Sequence, residues 1–77
     1  MRVLKHENGF IVIDSIGAMT IGSDYEGRAR VIVKVDGESV ALFAYSKETL
    51  LRKINAVAKI MTDVANKGNE IYNWEEL

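Results

Sequence analysis

The dipeptide Asp36-Gly37 stands between two eight-residue segments, 28–35 and 38–45, that are rich in β-branched, aromatic and small apolar residues. Asp-Gly is a strong signal for a two-residue hairpin turn, because both positions tolerate the positive φ that a type I′ turn requires. Such a turn sets the register, so Val33 is expected to face Val40 and Val31 to face Leu42. The sequence therefore predicts a hairpin with one apolar face toward a core.

The other face of this hairpin combines cations with aromatic rings. The candidate ligand-binding or partner-binding residues on it are Arg28, Arg30, Lys34, Phe43 and Tyr45. The register predicts cation–π pairs between Arg30 and Phe43 and between Arg28 and Tyr45. Ile32 lies at the centre of the same face, where it is a candidate for a contact between copies of the chain. A solvated sheet face, a self-association surface and a nucleotide or nucleic-acid site all stay open.

Three further segments complete the predicted fold. Asn8-Gly9 predicts an earlier hairpin turn between strands 3–5 and 10–13, and residues 18–21 predict a short strand. Strand 10–13 is apolar without alternation, which favours cover by the helix on one face and by a partner on the other. Apolar residues then recur at spacings of four and three behind the candidate N-cap Ser46, which predicts a helix over 47–67 that stops at Gly68. The predicted class is α+β: an antiparallel meander of four to five strands covered by one long C-terminal amphipathic helix, in a single domain over 1–69.

Residues 70–77 are predicted to form an acidic, aromatic tail, with Glu70, Glu75, Glu76 and no basic residue. Large apolar side chains are costly to leave in water, and Trp and Tyr are common interface anchors. Docking of the tail onto its own domain, docking onto another subunit or a target, and fraying all stay open. The candidate interface residues are Ile32, Tyr72, Trp74 and Leu77.

Charge and composition exclude several function classes. Ten basic and eleven acidic residues give a net charge of −1, which removes the overall attraction expected of a duplex nucleic-acid binder. The chain has no cysteine, and no apolar segment reaches the ~20 residues of a membrane span, so we expect a cytoplasmic protein without membrane contact. Asp24 and Glu26 lack EF-hand spacing, and the single histidine, His6, is interpreted as a solvated neighbour of the first turn. No catalytic residue, metal site or cofactor is therefore predicted. Because so small a domain buries little surface, self-association is the expected source of additional stability.

The order of hairpin, short strand, hairpin and helix, with the segment Gly9-Phe10-Ile11-Val12-Ile13-Asp14-Ser15-Ile16 ahead of a helix over 47–67, resembles small accessory proteins encoded by phages and prophages. This resemblance implies a non-enzymatic protein that acts only by binding. It would be either a counter-defence inhibitor that masks a host protein, or a sponge that sequesters a small anionic, nucleotide-like ligand. The strand order also resembles the transcriptional coactivator and Whirly family of single-strand binders. The near-neutral charge and the absence of a lysine-rich strand depart from that family, so single-stranded nucleic-acid binding is the alternative function.

Overall fold

The computed structural model describes residues 1–22, 26–63, 65 and 68–77, which have an α+β fold, as predicted. Asp24, one of the two carboxylates considered for a cation site, lies outside the described residues. The elements are β1 (Arg2–His6), β2 (Gly9–Val12), a 3₁₀ turn (Ile13–Ser15), β3 (Ile16–Ile21), β4 (Ala29–Val35), β5 (Glu38–Ala44), α1 (Lys47–Thr62), β6 (Glu70–Asn73) and a second 3₁₀ turn (Trp74–Glu76).

The strands form two three-stranded sheets. The first sheet has the order β2-β1-β6, and the second has the order β3-β4-β5. β1 pairs antiparallel with β2 and parallel with β6, so the residues predicted as a tail supply an edge strand. The predicted single meander is therefore wrong: the chain crosses between the two sheets at the first 3₁₀ turn, and residues 70–73 return to β1.

The β4–β5 hairpin has the predicted register. Asp36 and Gly37 have φ values of +50° and +84°, as a type I′ turn requires. Val33 pairs with Val40, Val31 with Leu42, and the ladder continues to Ala29 and Ala44. Side chains of one face of this hairpin are buried in the core, namely Ala29, Val31, Val33, Leu42 and Ala44.

The turn of the first hairpin lies one residue earlier than predicted. His6 pairs with Gly9, so the two loop residues are Glu7 and Asn8. Among the described residues other than glycine, only Glu26 and Asp36 have positive φ, so Asn8 does not adopt the conformation that a type I′ turn at Asn8-Gly9 needs. Gly9, at φ +146°, is instead the first residue of β2.

The helix begins as predicted and ends early. The Ser46 hydroxyl accepts the Thr49 N–H at 3.1 Å, which caps the first turn. The helix spans sixteen residues and ends at Thr62, because Asp63 leaves the helical conformation with φ −80° and ψ +80°. Residues 64, 66 and 67 of the predicted helix end lie outside the described residues. The long helix of the prediction is therefore corrected to a short one.

Arg2 fastens the end of the helix to the first sheet. Its guanidinium donates to the carbonyl oxygens of Ile60 and Asp63 and forms an ion pair with Asp14 at 2.6 Å. The hydrogen bond to Asp14 raises the pKa of Arg2. This side chain is buried, and its donors add to the few partners that carbonyl groups at a helix end have.

The hydrophobic core lies between the helix and the inner faces of both sheets. It contains Leu50 and Val57 from α1, Leu4 and Ile11 from the first sheet, and Trp74 from the second 3₁₀ turn. In the part of the chain that the structure describes, no helix has both the length and the apolar character needed to cross a bilayer.

Candidate functional site

A groove of about 410 Å³ lies beside β5, which is an edge strand of the second sheet. Its walls come from residues 41–45, from the N-terminal half of α1, from the turn between β1 and β2, and from the second 3₁₀ turn. Three of the five predicted binding residues line it, namely Arg28, Phe43 and Tyr45. The fold therefore gathers elements that are far apart in the chain around a part of the predicted cationic and aromatic surface.

Arg28 and Phe43 form a cation–π pair at the groove. The guanidinium carbon of Arg28 lies 4.5 Å from the centroid of the Phe43 ring. The sequence predicted other partners, Tyr45 for Arg28 and Arg30 for Phe43. The observed pair joins diagonal neighbours across the hairpin, which long side chains can span. Tyr45 follows the end of β5 and is 76% exposed.

Arg30, Ile32 and Lys34 share the outer face of the second sheet, as the register predicted, but they do not line the groove. Arg30 packs instead beside Gly22, the residue after β3, where a Cβ on Gly22 would come within 2.9 Å of the Arg30 Nε. That Nε is buried and has no hydrogen-bond partner among the described residues. Ile32 is half-buried and Lys34 is exposed. The predicted site is thus divided between the groove and the sheet face.

Arg52 of α1 lines the groove and was missed by the sequence analysis. It lies four residues after Glu48, and this spacing is typical of an ion pair on the solvated surface of a helix. The sequence therefore provided no reason to select Arg52 as a site residue. Among the described residues, however, neither Arg52 nor Arg28 forms an ion pair. The groove therefore contains two guanidinium groups that no described carboxylate neutralises, and Glu7 and Glu75 also line its wall.

Trp74 and Lys53 also contribute to the groove wall while being buried in the chain itself. The Trp74 indole N–H donates to the Phe43 carbonyl oxygen at 2.7 Å. Lys53 Nζ donates to the carbonyl oxygens of Trp74 at 2.6 Å and of Leu77 at 3.4 Å. Because Trp74 is only 2% exposed, its assignment as an interface anchor is corrected to a core role. β5 is an edge strand, so the Phe43 carbonyl on its open side has no strand partner, and the Trp74 indole N–H takes that place.

Tyr72 and Leu77 are partly buried against the same core. The Tyr72 hydroxyl donates to a Glu70 carboxylate oxygen at 2.6 Å, and this hydrogen bond raises the pKa of Tyr72. Their role at an interface stays a prediction, as does that of Ile32.

His6 is a second groove residue that the sequence analysis did not select. Its Nδ1 accepts the Asn8 N–H at 3.3 Å, and burial lowers its pKa from 6.5. Burial and this hydrogen bond therefore both favour the neutral imidazole. The sequence places His6 beside a tight turn, which favoured its interpretation as a solvated residue. This end of the hairpin becomes a groove wall through the second 3₁₀ turn and the helix, which lie far away in the sequence.

Among the described residues, no three histidine or carboxylate side chains are grouped as a metal site would need. Comparison of the chain with protein-family models, with curated proteins and with solved structures finds no match. The geometry of the groove is therefore the basis for the function proposed next.

Proposed function

We propose that this chain is a non-enzymatic binding protein that holds a small anionic ligand with a planar ring, such as a nucleotide, in the groove beside β5. The observation that carries this proposal is that one groove contains the guanidinium groups of Arg28 and Arg52, which form no ion pair with any described residue, together with the exposed ring of Tyr45. A guanidinium group binds phosphate oxygens through paired hydrogen bonds, and an exposed aromatic ring offers a surface on which a base can stack.

The Arg28–Phe43 pair supports the same ligand. A guanidinium that already rests on a ring loses less freedom when it binds phosphate. The volume of about 410 Å³ falls in the range of small-molecule sites. Glu7 and Glu75 can accept hydrogen bonds from a sugar or an amino group, and they disfavour a longer polyanion.

A protein that holds a nucleotide without changing it acts by lowering the concentration of free nucleotide. This is the sponge form of the function that the resemblance to phage accessory proteins implies. Inhibition of a host protein and an origin in a phage stay predictions, since they rest on the resemblance of architecture.

Mass spectrometry of the native purified protein, followed by calorimetry with nucleoside mono-, di- and triphosphates, tests this proposal. We expect one nucleotide class to bind, and Arg28→Gln and Arg52→Gln each to weaken its binding about tenfold or more, since a hydrogen bond to a charged group contributes about 1.5–3 kcal/mol. Lys34→Gln removes an equal charge from the outer sheet face and is the matched control, with an affinity within about twofold of wild type. An equal loss in all three variants, or no binding at about 1 mM nucleotide, contradicts the proposal.

Single-stranded nucleic-acid binding is the second candidate, because the Arg28–Phe43 pair also adjoins the outer face that carries Arg30 and Lys34. A strand that continued from the groove onto this face would neutralise Lys34 as well. Under this alternative, an oligonucleotide of about ten residues binds with steep salt dependence, and both Lys34→Gln and the double variant Arg30→Ala, Phe43→Ala weaken it. If the folded double variant binds oligonucleotide as well as wild type, the alternative fails.

A further inference from the structure

The open edge of β5 presents backbone hydrogen-bonding groups to the groove. In an antiparallel pair, every second residue directs its N–H and C=O away from the partner strand. Arg30 and Phe43 are opposite each other in such a pair. The Arg30 carbonyl accepts the Gly22 N–H at 2.9 Å on the β3 side. The Phe43 carbonyl accepts the Trp74 indole N–H on the opposite side, so the backbone groups of Phe43 point away from β4.

The same alternation directs the N–H and C=O of Ala41, two residues before Phe43, to the open edge. Ala41 and Phe43 both line the groove, and no described strand pairs with this edge. The buried Trp74 already occupies the Phe43 carbonyl. The groups that remain are, in order along β5, the Ala41 N–H, the Ala41 carbonyl and the Phe43 N–H. The groove wall thus presents the pattern donor, acceptor, donor.

Such a backbone pattern selects a ligand by the edge of its ring. A polar backbone group that a ligand covers without bonding it costs about as much free energy as a lost hydrogen bond, so a tightly bound ring carries the complementary pattern. Uracil and thymine present acceptor, donor, acceptor as the imide O4, N3–H and O2. Cytosine and adenine place an amino donor beside a ring-nitrogen acceptor, and guanine places two donors beside one carbonyl. Each of these three bases therefore matches at most two of the three backbone groups.

We infer that the ligand of the groove is a uracil or thymine nucleotide whose imide edge is bound by the backbone of Ala41 and Phe43. The inference rests on the function proposed above and specifies the ligand class of the same site. Because backbone groups recognise the base, the guanidinium groups of Arg28 and Arg52 stay available for the phosphate. The exposed ring of Tyr45 stays available for stacking.

Calorimetry with nucleoside 5′-monophosphates that differ in the base tests the inference. Uridine and cytidine monophosphate have the same ring size and the same phosphate charge. We expect the uridine nucleotide to bind about tenfold or more tightly, since cytosine leaves one backbone group without a partner. The adenosine and guanosine nucleotides are also expected to bind more weakly than the uridine nucleotide. Binding of any of these three that equals or exceeds that of uridine monophosphate overturns the inference, while the proposed function stands.

Proline at position 41 removes the first donor without changing the charge. An edge strand tolerates proline where the N–H faces outward. Without this donor, uracil and cytosine each match two backbone groups, so Ala41→Pro is expected to bring the ratio of their affinities close to one. A merely steric effect of the proline ring weakens both nucleotides and leaves the ratio unchanged, which contradicts the inference. Ser39→Pro is the matched control with an unchanged ratio, because Ser39 has the same outward direction but does not line the groove.

Amide proton signals of the unmodified protein give a second measurement, which decides the matter if Ala41→Pro does not fold. We expect uridine monophosphate to move the Ala41 and Phe43 amide signals to lower field and to slow their hydrogen exchange, with the Ser39 amide unchanged. If a nucleotide binds without these changes, recognition by the backbone is wrong and the proposed function stands. If no nucleotide binds at about 1 mM, both fail.

Discussion

His6 is a single residue whose environment couples stability to pH. Burial lowers its pKa from 6.5, and its Nδ1 accepts the Asn8 N–H, which requires the unprotonated nitrogen. The unfolded chain therefore binds a proton at His6 at a higher pH than the folded chain does. The stabilisation is complete above the unfolded pKa and is lost as the pH falls through the folded pKa.

We accordingly expect the midpoint temperature of thermal unfolding to decrease as the pH is lowered from 7 to 5. In His6→Gln the imidazole is absent, so the slope over this interval is expected to be shallower than in wild type. Calorimetric melting curves at pH 7.0, 6.0 and 5.0 measure both slopes. Parallel pH profiles for the two proteins show that carboxylate groups alone cause the dependence.

Side-chain partners were the least predictable part of the candidate site. The alternation of β4 and β5 placed Arg28 and Phe43 on a common surface, but the choice of the diagonal partner follows from the packing of Arg30 against Gly22. That packing depends on β3, whose pairing with β4 no local pattern specifies. Arg52 joins the site only because α1 crosses the sheet beside β5, a tertiary arrangement that its helical spacing does not encode.

At the level of elements, those that depend on residues nearby in the sequence were predicted correctly, and those that depend on remote residues were not. The β4–β5 hairpin was predicted pair by pair, since a two-residue turn is a local device. The helix start at Ser46 was equally local. The parallel pairing of β1 with β6 joins segments at opposite ends of the chain, and the end of α1 depends on Arg2. The sequence pattern near either element carries no signal for such remote partners.

Gly37 tests the hairpin as an element. Its φ of +84° is favourable for glycine and strained for a residue with a Cβ, so Gly37→Ala is expected to lower the free energy of unfolding by about 1 kcal/mol. Gly17→Ala is the control: φ there is not positive, and the new Cβ would meet only the Lys34 carbonyl oxygen, at 3.8 Å. Urea denaturation followed by fluorescence of Trp74, the single tryptophan, compares them. Equal stability of the two variants contradicts the type I′ geometry.

For the whole molecule, the last eight residues are part of the folded body. They supply β6, which pairs with β1, and Trp74, which is buried and bonded to Phe43 and Lys53. A domain of this size has a free energy of unfolding of about 4–11 kcal/mol, and removing a buried Trp side chain alone costs about 3–5 kcal/mol. Loss of the whole segment also removes a strand, so it consumes most of this stability.

Deletion of residues 70–77 is therefore expected to unfold most of the population at 25 °C, whereas a detachable tail predicts an unchanged domain. Far-UV circular dichroism and the dispersion of amide proton signals measure the outcome without relying on the deleted Trp74. The double variant Glu75→Gln, Glu76→Gln removes two of the three acidic side chains of the segment while keeping its packing, and we expect it to melt close to wild type. A truncated chain that keeps native dichroism and a cooperative transition contradicts the integrated arrangement. If the truncated chain unfolds, a loss of ligand binding on truncation reports the loss of the fold, so the ligand site is tested by the point variants instead.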